Sequence, residues 1–418
     1  MGPMHRNRST GPSASLRPSL PANRRTVLLA VHDKWENEPH KLGILEHARQ
    51  QGWHLLDLRY YNMNLPRTFH PDGAIFYLAD EEAPLVRRLV RARIPVVQIQ
   101  DYHLPGKVCC VVQDRQAIGE AAAEHFAARG FQNLAYLHGE IWGESPNTQI
   151  GEAFINAARG LGARAEPIAV QHPGSSVSWD RFDTLAGRFG KEISRLQLPL
   201  GIFTYSDIMA TRICHFCQAV GLRVPEQVAV LGAGNDLTRC ECSSVPLSSV
   251  DPNFIAQGLA AAELLTRLMD GKPAPAEPVL TAPAGIVTRQ STNILALPDL
   301  DTARALRYMW DHLHEPLKVP DIADAVGVSR RKLERHFRTY LHRSVNEEFV
   351  RKRIERCCEL LTSTSDTVEA VARRAGFSTE KYFFRVFRKA TGTTPRKYRV
   401  AQISKRNQAG QAESGTGG

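Results

Sequence analysis

Ile322-Ala323-Asp324-Ala325-Val326-Gly327-Val328-Ser329 and Val371-Ala372-Arg373-Arg374-Ala375-Gly376-Phe377-Ser378 are two copies of one short pattern, about 50 residues apart. Each has a small Ala, three residues, a Gly, an apolar residue and a Ser. A small side chain lets two helices cross closely, and the Gly can take the positive φ of a sharp helix-to-helix turn. Ser is a natural N-cap for the helix that follows. Together these features predict two helix-turn-helix units, a motif whose second helix enters a DNA major groove.

The residues after each turn sharpen that reading. Beyond Ser329 stand Arg330-Arg331-Lys332-Leu333-Glu334-Arg335-His336-Phe337. Leu333 and Phe337, with Tyr340 and Leu341 beyond, fall at helical spacing and are expected to face inward. That leaves Arg330, Arg331, Lys332 and Arg335 outward, where Arg can pair with guanine O6 and N7 or hold phosphate. Beyond Ser378, Tyr382, Phe383, Val386 and Phe387 are the expected core. Thr379, Glu380, Lys381, Phe384, Arg385 and Arg388 are left outward, and Glu380 can accept from cytosine N4. Arg388, Lys389, Arg396 and Lys397 suit phosphate contacts. For any single Arg, a solvated helix face is the plain alternative. Residues 345–361 read as one helix between the units, with Phe349, Ile354, Cys357, Leu360 and Leu361 apolar. A shared helix would place the two reading helices about 34 Å apart, in successive grooves on one face of DNA.

Charge follows the same division. The chain carries a net +10, but residues 26–300 have 24 Lys/Arg against 29 Asp/Glu, and residues 301–406 have 24 against 13. The basic excess sits where the repeated motif sits, as binding to a phosphate backbone requires.

The run Phe383-Phe384-Arg385-Val386-Phe387-Arg388-Lys389-Ala390-Thr391-Gly392-Thr393-Thr394-Pro395-Arg396-Lys397-Tyr398-Arg399 resembles the signature of the AraC/XylS family of bacterial transcription factors. The resemblance covers residues 322–398. It implies a double-stranded DNA operator, RNA polymerase as a further partner, a homodimer, a cytoplasmic location and activation of carbohydrate genes.

Ahead of this region the pattern is different. From residue 26 to about residue 285 short apolar strand-like runs alternate with amphipathic helices, which predicts parallel sheets covered on both faces. A span of about 260 residues is large for one sheet and suggests two lobes. Leu200-Gly201-Ile202-Phe203-Thr204-Tyr205-Ser206-Asp207-Ile208-Met209-Ala210 resembles the strand-to-helix turn of LacI-type and periplasmic sugar-binding proteins. Gly221-Leu222-Arg223-Val224-Pro225-Glu226-Gln227-Val228-Ala229-Val230-Leu231-Gly232 is similar to a further run of those proteins. That resemblance implies a small sugar, xylose or a related one, held at the carboxyl ends of strands.

Asp207 matches the Asp of that family and ends a strand, with a helix N-cap role as its alternative. Asp114 ends an earlier strand, and Asn235 and Asp236 follow Gly232-Ala233-Gly234. Trp142 is a candidate platform for a sugar ring, a buried core aromatic being its equal rival. Two positions depart from the family pattern: Gly234 stands where relatives carry an Asp, and Ile150 where they often carry an Arg.

The fold expected is an α/β two-lobed periplasmic-binding-protein-like sensor domain followed by an all-α double helix-turn-helix DNA-binding domain. The boundaries expected are a disordered basic tail over residues 1–23, the sensor over 24–290, a linker over 291–301, the double helix-turn-helix over 302–402 and a disordered tail over 403–418. The eight Cys fall in close pairs such as Cys109-Cys110 and Cys357-Cys358, poor geometry for disulfides, so reduced thiols are expected. The spacing of Cys214 and Cys217 fits a core-facing helix stripe better than a metal site. No nucleophile elbow, phosphate-binding loop or metal cluster is visible, so no catalytic residue, metal or cofactor is expected. No apolar run approaches the ~20 residues of a membrane span. The rival readings are a DNA binder responding to a different ligand or to none, a transport-type sugar receptor, and an enzyme acting on carbohydrate or nucleic acid.

Overall fold

A computed structural model of the chain describes residues 24–31, 38–58, 69–77, 83–100, 108–138, 146–169 and 182–400. Both expected tails lie outside the described residues. In chain order the elements begin β1 (Thr26–Val31), α1 (Glu38–Gln51), β2 (His54–Asp57), β3 (Gly73–Tyr77), α2 (Ala83–Arg91), β4 (Val96–Ile99) and β5 (Cys109–Gln113). They continue α3 (Arg115–Ala127), β6 (Asn133–His138), α4 (Pro146–Gly160), β7 (Arg164–Ala169), α5 (Phe182–Ile193), β8 (Leu200–Phe203), α6 (Asp207–Ala219), β9 (Val228–Ala233) and α7 (Leu237–Cys242). Then come β10 (Ser248–Asp251), α8 (Phe254–Met269), β11 (Val279–Thr281), β12 (Gly285–Val287) and a 3-10 turn at Gln290–Thr292. The helical end comprises α9 (Leu300–Asp311), α10 (Val319–Val326), α11 (Arg330–Leu341), α12 (Val345–Ser363), α13 (Val368–Arg374) and α14 (Glu380–Thr391).

The chain divides into two compact units. The first takes residues 1–114 and 252–284 and holds a parallel sheet of strand order β11-β5-β4-β3-β1-β2. All six residues of β1 are buried, as a strand covered on both faces demands. The second takes residues 115–251 and 285–418. Its sheet runs β12-β10-β9-β8-β6-β7, parallel except where β12 pairs antiparallel with β10. Cys214 and Cys217 are buried in its core beneath α6, where their spacing puts them.

The segment expected as a linker is not a free tether. Ser291 and Thr292 are fully buried, and Ile294 and Leu297 join the core formed by α3, α4 and the first helices of the DNA-binding region. His125 on α3 meets Thr292 Oγ1 at 2.7 Å, and Arg129 Nε donates to Thr292 O at 2.9 Å. The Pro- and Ala-rich run over residues 271–300 makes this part of the chain look like a spacer, but Ile294 and Leu297 are enough to bury its end. Helix α9 also begins inside the expected linker, capped by Asp299, which accepts from Thr302 N at 2.8 Å. It is moored to the sensor by Arg307, whose Nη1 donates to Glu226 Oε1 at 2.9 Å and Val224 O at 3.1 Å.

Candidate nucleic-acid interface and sensor site

Each half of the repeated motif folds as its sequence directs. Ala323 and Ala372 are buried at the crossings of α10 and α13. Gly327 caps α10 with φ +72°, and Gly376 follows α13 with φ +85°. Both values lie in the left-handed region that Gly adopts without strain. Ser329 caps α11, its side chain accepting from Lys332 N at 3.2 Å. The second unit departs from this. Its turn is two residues longer, Thr379 rather than Ser378 is the N-cap of α14, and the Thr379 side chain makes no cap hydrogen bond.

Two faces result. On α11, Leu333, Phe337 and Leu341 are buried, while Arg330, Arg331, Arg335 and Arg338 are exposed. On α14, Phe383 and Phe387 are buried, while Glu380, Lys381, Arg385, Arg388 and Lys389 are exposed. Thr379, Arg396 and Lys397 are exposed as well. Exposed Arg and Lys at the start and along one side of a helix are what a groove-reading helix needs.

Three expectations are corrected. Tyr340 is 37% exposed and lies edge-on to His336 rather than inward. Phe384 is half-buried against the core of the second unit rather than outward. Lys332 turns to α9, where its Nζ lies 2.6 Å from Asp301 Oδ2, and this hydrogen bond raises its pKa. His336 Nδ1, one turn on, meets Asp299 Oδ2 at 2.8 Å. Burial works against charge on Asp299, but bonds from Thr302 and His336 outweigh it and hold the carboxyl below its usual range. Arg338 was legible at i, i+4 and i+7 from Arg331 and Arg335 but is absent from the expected set.

The helix between the units is α12. A capping box starts it: Ser344 Oγ accepts from Glu347 N at 3.2 Å and Ser344 N donates to Glu347 Oε2 at 2.7 Å. Glu348 is 0% exposed and takes a bidentate pair from Arg351, at 2.8 and 2.6 Å, plus Arg343 at 3.2 Å. A buried carboxylate met by two guanidinium groups fixes the helix start.

The sensor candidates fall in different places. Asp207, Asn235 and Asp236 come together in the second unit. Asp114 belongs to the first unit, half-buried after β5, its N–H bonded to Thr281 O at 2.9 Å. Trp142 lies outside the described residues.

Asp207 was expected to touch ligand directly. Instead it is 0% exposed, and both oxygens have protein partners: Oδ1 accepts from Ser249 Oγ at 2.6 Å and Oδ2 from Asp236 N at 2.9 Å. Burial raises its pKa, partly offset by those bonds. The N-cap of α6 is Ser206, not Asp207. Asn235 donates to Asp251 Oδ2 at 3.1 Å and accepts from Arg289 Nη2 at 3.2 Å. Asp236 caps α7 and pairs with Arg239 at 2.9 Å. Asp207 is thus an anchor that shapes the loop after β9. Ile150, which stands where LacI-type proteins often carry an Arg, is 5% exposed within the apolar core. Arg289, which organises this network, was missed because it lies 38 residues beyond Asp251, the nearest acid of the loop.

Two family models match the chain, a periplasmic binding protein-like domain over residues 123–292 and a helix-turn-helix domain over residues 322–401. The xylose operon regulatory protein of Escherichia coli (strain K12) is 29% identical over 333 residues, which is 78% of this chain and 83% of that protein. Its counterpart in Haemophilus influenzae is 28% identical over 296 residues, covering 69% and 74%. A solved structure of the xylose-binding transcription activator xylR aligns over 91% of this chain and 99% of its own, at 25% identity and a TM-score of 0.66. The chain is a DNA-binding transcription regulator that joins a periplasmic-binding-protein-like domain to a helix-turn-helix domain. The regulator's relatives are DNA-binding transcription factors and not enzymes. No helix among its described residues is long and apolar enough to cross a membrane.

Proposed function

We propose that this regulator binds a bipartite operator through α11 and α14 and switches carbohydrate genes, as an activator, in response to a small sugar of the xylose kind. The observation that carries this is one chain bearing two arginine-lined helices on a shared helix, behind a sensor domain. The relatives named for the xylose operon support the sugar. Two chains pair as a homodimer in the cytoplasm, and RNA polymerase is the further partner. Sugar would act by favouring one arrangement of the chains over another, which requires different affinity for the two. Arg330, Arg331, Arg335, Lys381, Arg385, Arg388 and Lys389 serve as base or phosphate contacts, with Thr379 and Glu380 at the start of α14.

A thermal-shift panel of pentoses and hexoses tests the sugar. A bound ligand at about 100 times its Kd stabilises by about 2.7 kcal/mol, and xylose should raise Tm most. A second reading has the same DNA function with another effector. It is favoured by Ile150 in the core and by the internal pairing of Asn235 and Asp236. A panel in which a different small molecule shifts Tm and xylose does not would establish it.

A further inference from the structure

A cationic side chain outside the sensor network and the reading faces touches both helix-turn-helix units. Arg353 lies on α12, among the residues joining the two helix-turn-helix units. Its Nε donates to Leu313 O at 2.9 Å and its Nη2 to Glu315 O at 2.5 Å. Leu313 and Glu315 belong to the loop between α9 and α10, the entry to the first unit. The guanidinium carbon also lies 4.0 Å from the Phe349 ring centroid and 5.9 Å from that of Phe377. Phe377 is the turn residue of the second unit, and its ring stacks 5.2 Å from Phe383 at the base of α14. One planar cation thus holds the backbone of one unit and the aromatic turn of the other.

The fit is close. A Cβ built on Gly376 would collide with Leu313 O and the Arg353 guanidinium. Gly376 is therefore needed both for its positive φ and because the first unit's loop passes against it. The geometry suits Arg specifically. Two donors in one plane reach two carbonyls while the flat faces meet aromatic rings, which an ammonium group cannot reproduce. Burial depresses the pKa of Arg353, so the group has traded water for these fixed partners.

We propose that Arg353 is a positioning residue for DNA recognition: it sets the separation at which α11 and α14 meet their half-sites. This rests on the bipartite reading above. Loss of the link should loosen the relative placement of the units while leaving each reading face intact. The signature is a change in tolerance for half-site spacing, without a change in the bases preferred.

The test is selection of binding sites from randomised duplex DNA by the full-length chain, followed by affinity measurements on the selected site and on versions one base pair longer or shorter. The unaltered chain should select two motifs at one separation and bind the altered spacings about tenfold more weakly, the scale of one mismatched pair. Arg353→Lys should keep both motifs and bind all three spacings within about twofold, fully spanning that tenfold gap. If Arg353→Lys discriminates as sharply as the unaltered chain, the inference is overturned, even if its Tm is lower. If Arg353→Lys does not fold, Phe377→Leu carries the same readout, since it removes the ring but keeps an apolar side chain. Failure of the unaltered chain to select two motifs overturns the bipartite reading instead, so the two failures are distinct.

Discussion

The two helix-turn-helix units share a motif but not a mechanical situation. The first is built into the sensor. Its core residues Leu333 and Phe337 belong to the same apolar cluster as Ile118, Phe154 and Leu297, and the Asp299–His336 hydrogen bond and the Asp301–Lys332 ion pair at the start of α9 hold α11 from outside. The second has a core of its own, made by α12, α13 and α14. Among the described residues, Lys381, Arg385, Arg388 and Lys389 form no ion pair, and α14 packs on α12 and α13. A change in the sensor therefore has a direct route to the first reading helix and an indirect one to the second. One unit is placed to receive the signal and the other to supply contacts with less constraint.

The comparison can be broken most severely in the cores. Phe337→Ala and Phe383→Ala each delete a fully buried ring and should cost about 3–5 kcal/mol. Phe337→Ala should lower the main melting transition, because that core continues into the sensor. Phe383→Ala should instead create a separate early transition with sensor melting retained. Differential scanning calorimetry decides, and identical traces for the two would erase the distinction.

Acid offers a gentler separation. Burial, with help from the nearby Arg129 charge, lowers the pKa of His125 from 6.5 to about 3, and its ring holds the segment that leads to α9. The folded form keeps this His neutral and the unfolded chain charges it. Its contribution is therefore complete above pH 6.5 and is lost as pH falls toward 3. At pH 5 that is about 2 kcal/mol. Residues 345–400 contain no His. Hydrogen exchange, corrected for intrinsic rates, should show protection falling in α9 to α11 between pH 7 and 5, with α13 and α14 changing less.

On DNA, Arg335→Ala and Arg385→Ala should each weaken binding by about 1–3 kcal/mol if they read a base, relaxing preference at one position in the corresponding half-site. The smallest expected effect distinguishes the lysines. Lys332 is held by Asp301, so Lys332→Ala should change the salt dependence of binding little, whereas Lys381→Ala should reduce its slope by about 1. Titration at several salt concentrations measures both.

Much of this was legible in the residues themselves. The Ala-to-Gly spacing marked both turns, the periodicity of Leu333, Phe337 and Phe383, Phe387 fixed which face is buried, and the runs at 26–31 and 228–231 declared their strands. What was hidden depended on residues distant in sequence. Lys332 looked like a DNA contact because Asp301 lies 31 positions away. Asp207 looked like a ligand contact because a strand-end carboxylate usually faces solvent, and Ser249, 42 positions on, turns it inward. Arg353 carries no sequence signal of its own, because its partners Leu313 and Glu315 lie 40 and 38 positions away. Short α7 and β10 gave too few periodic positions to be read.

Dimethyl sulfate footprinting, which methylates guanine N7 in the major groove, of the full-length chain on its selected site tests the central account most directly. Protection of two major-groove segments about one helical turn apart, on one face of the duplex, is the result expected. A single protected segment, or even protection regardless of sequence, would contradict it.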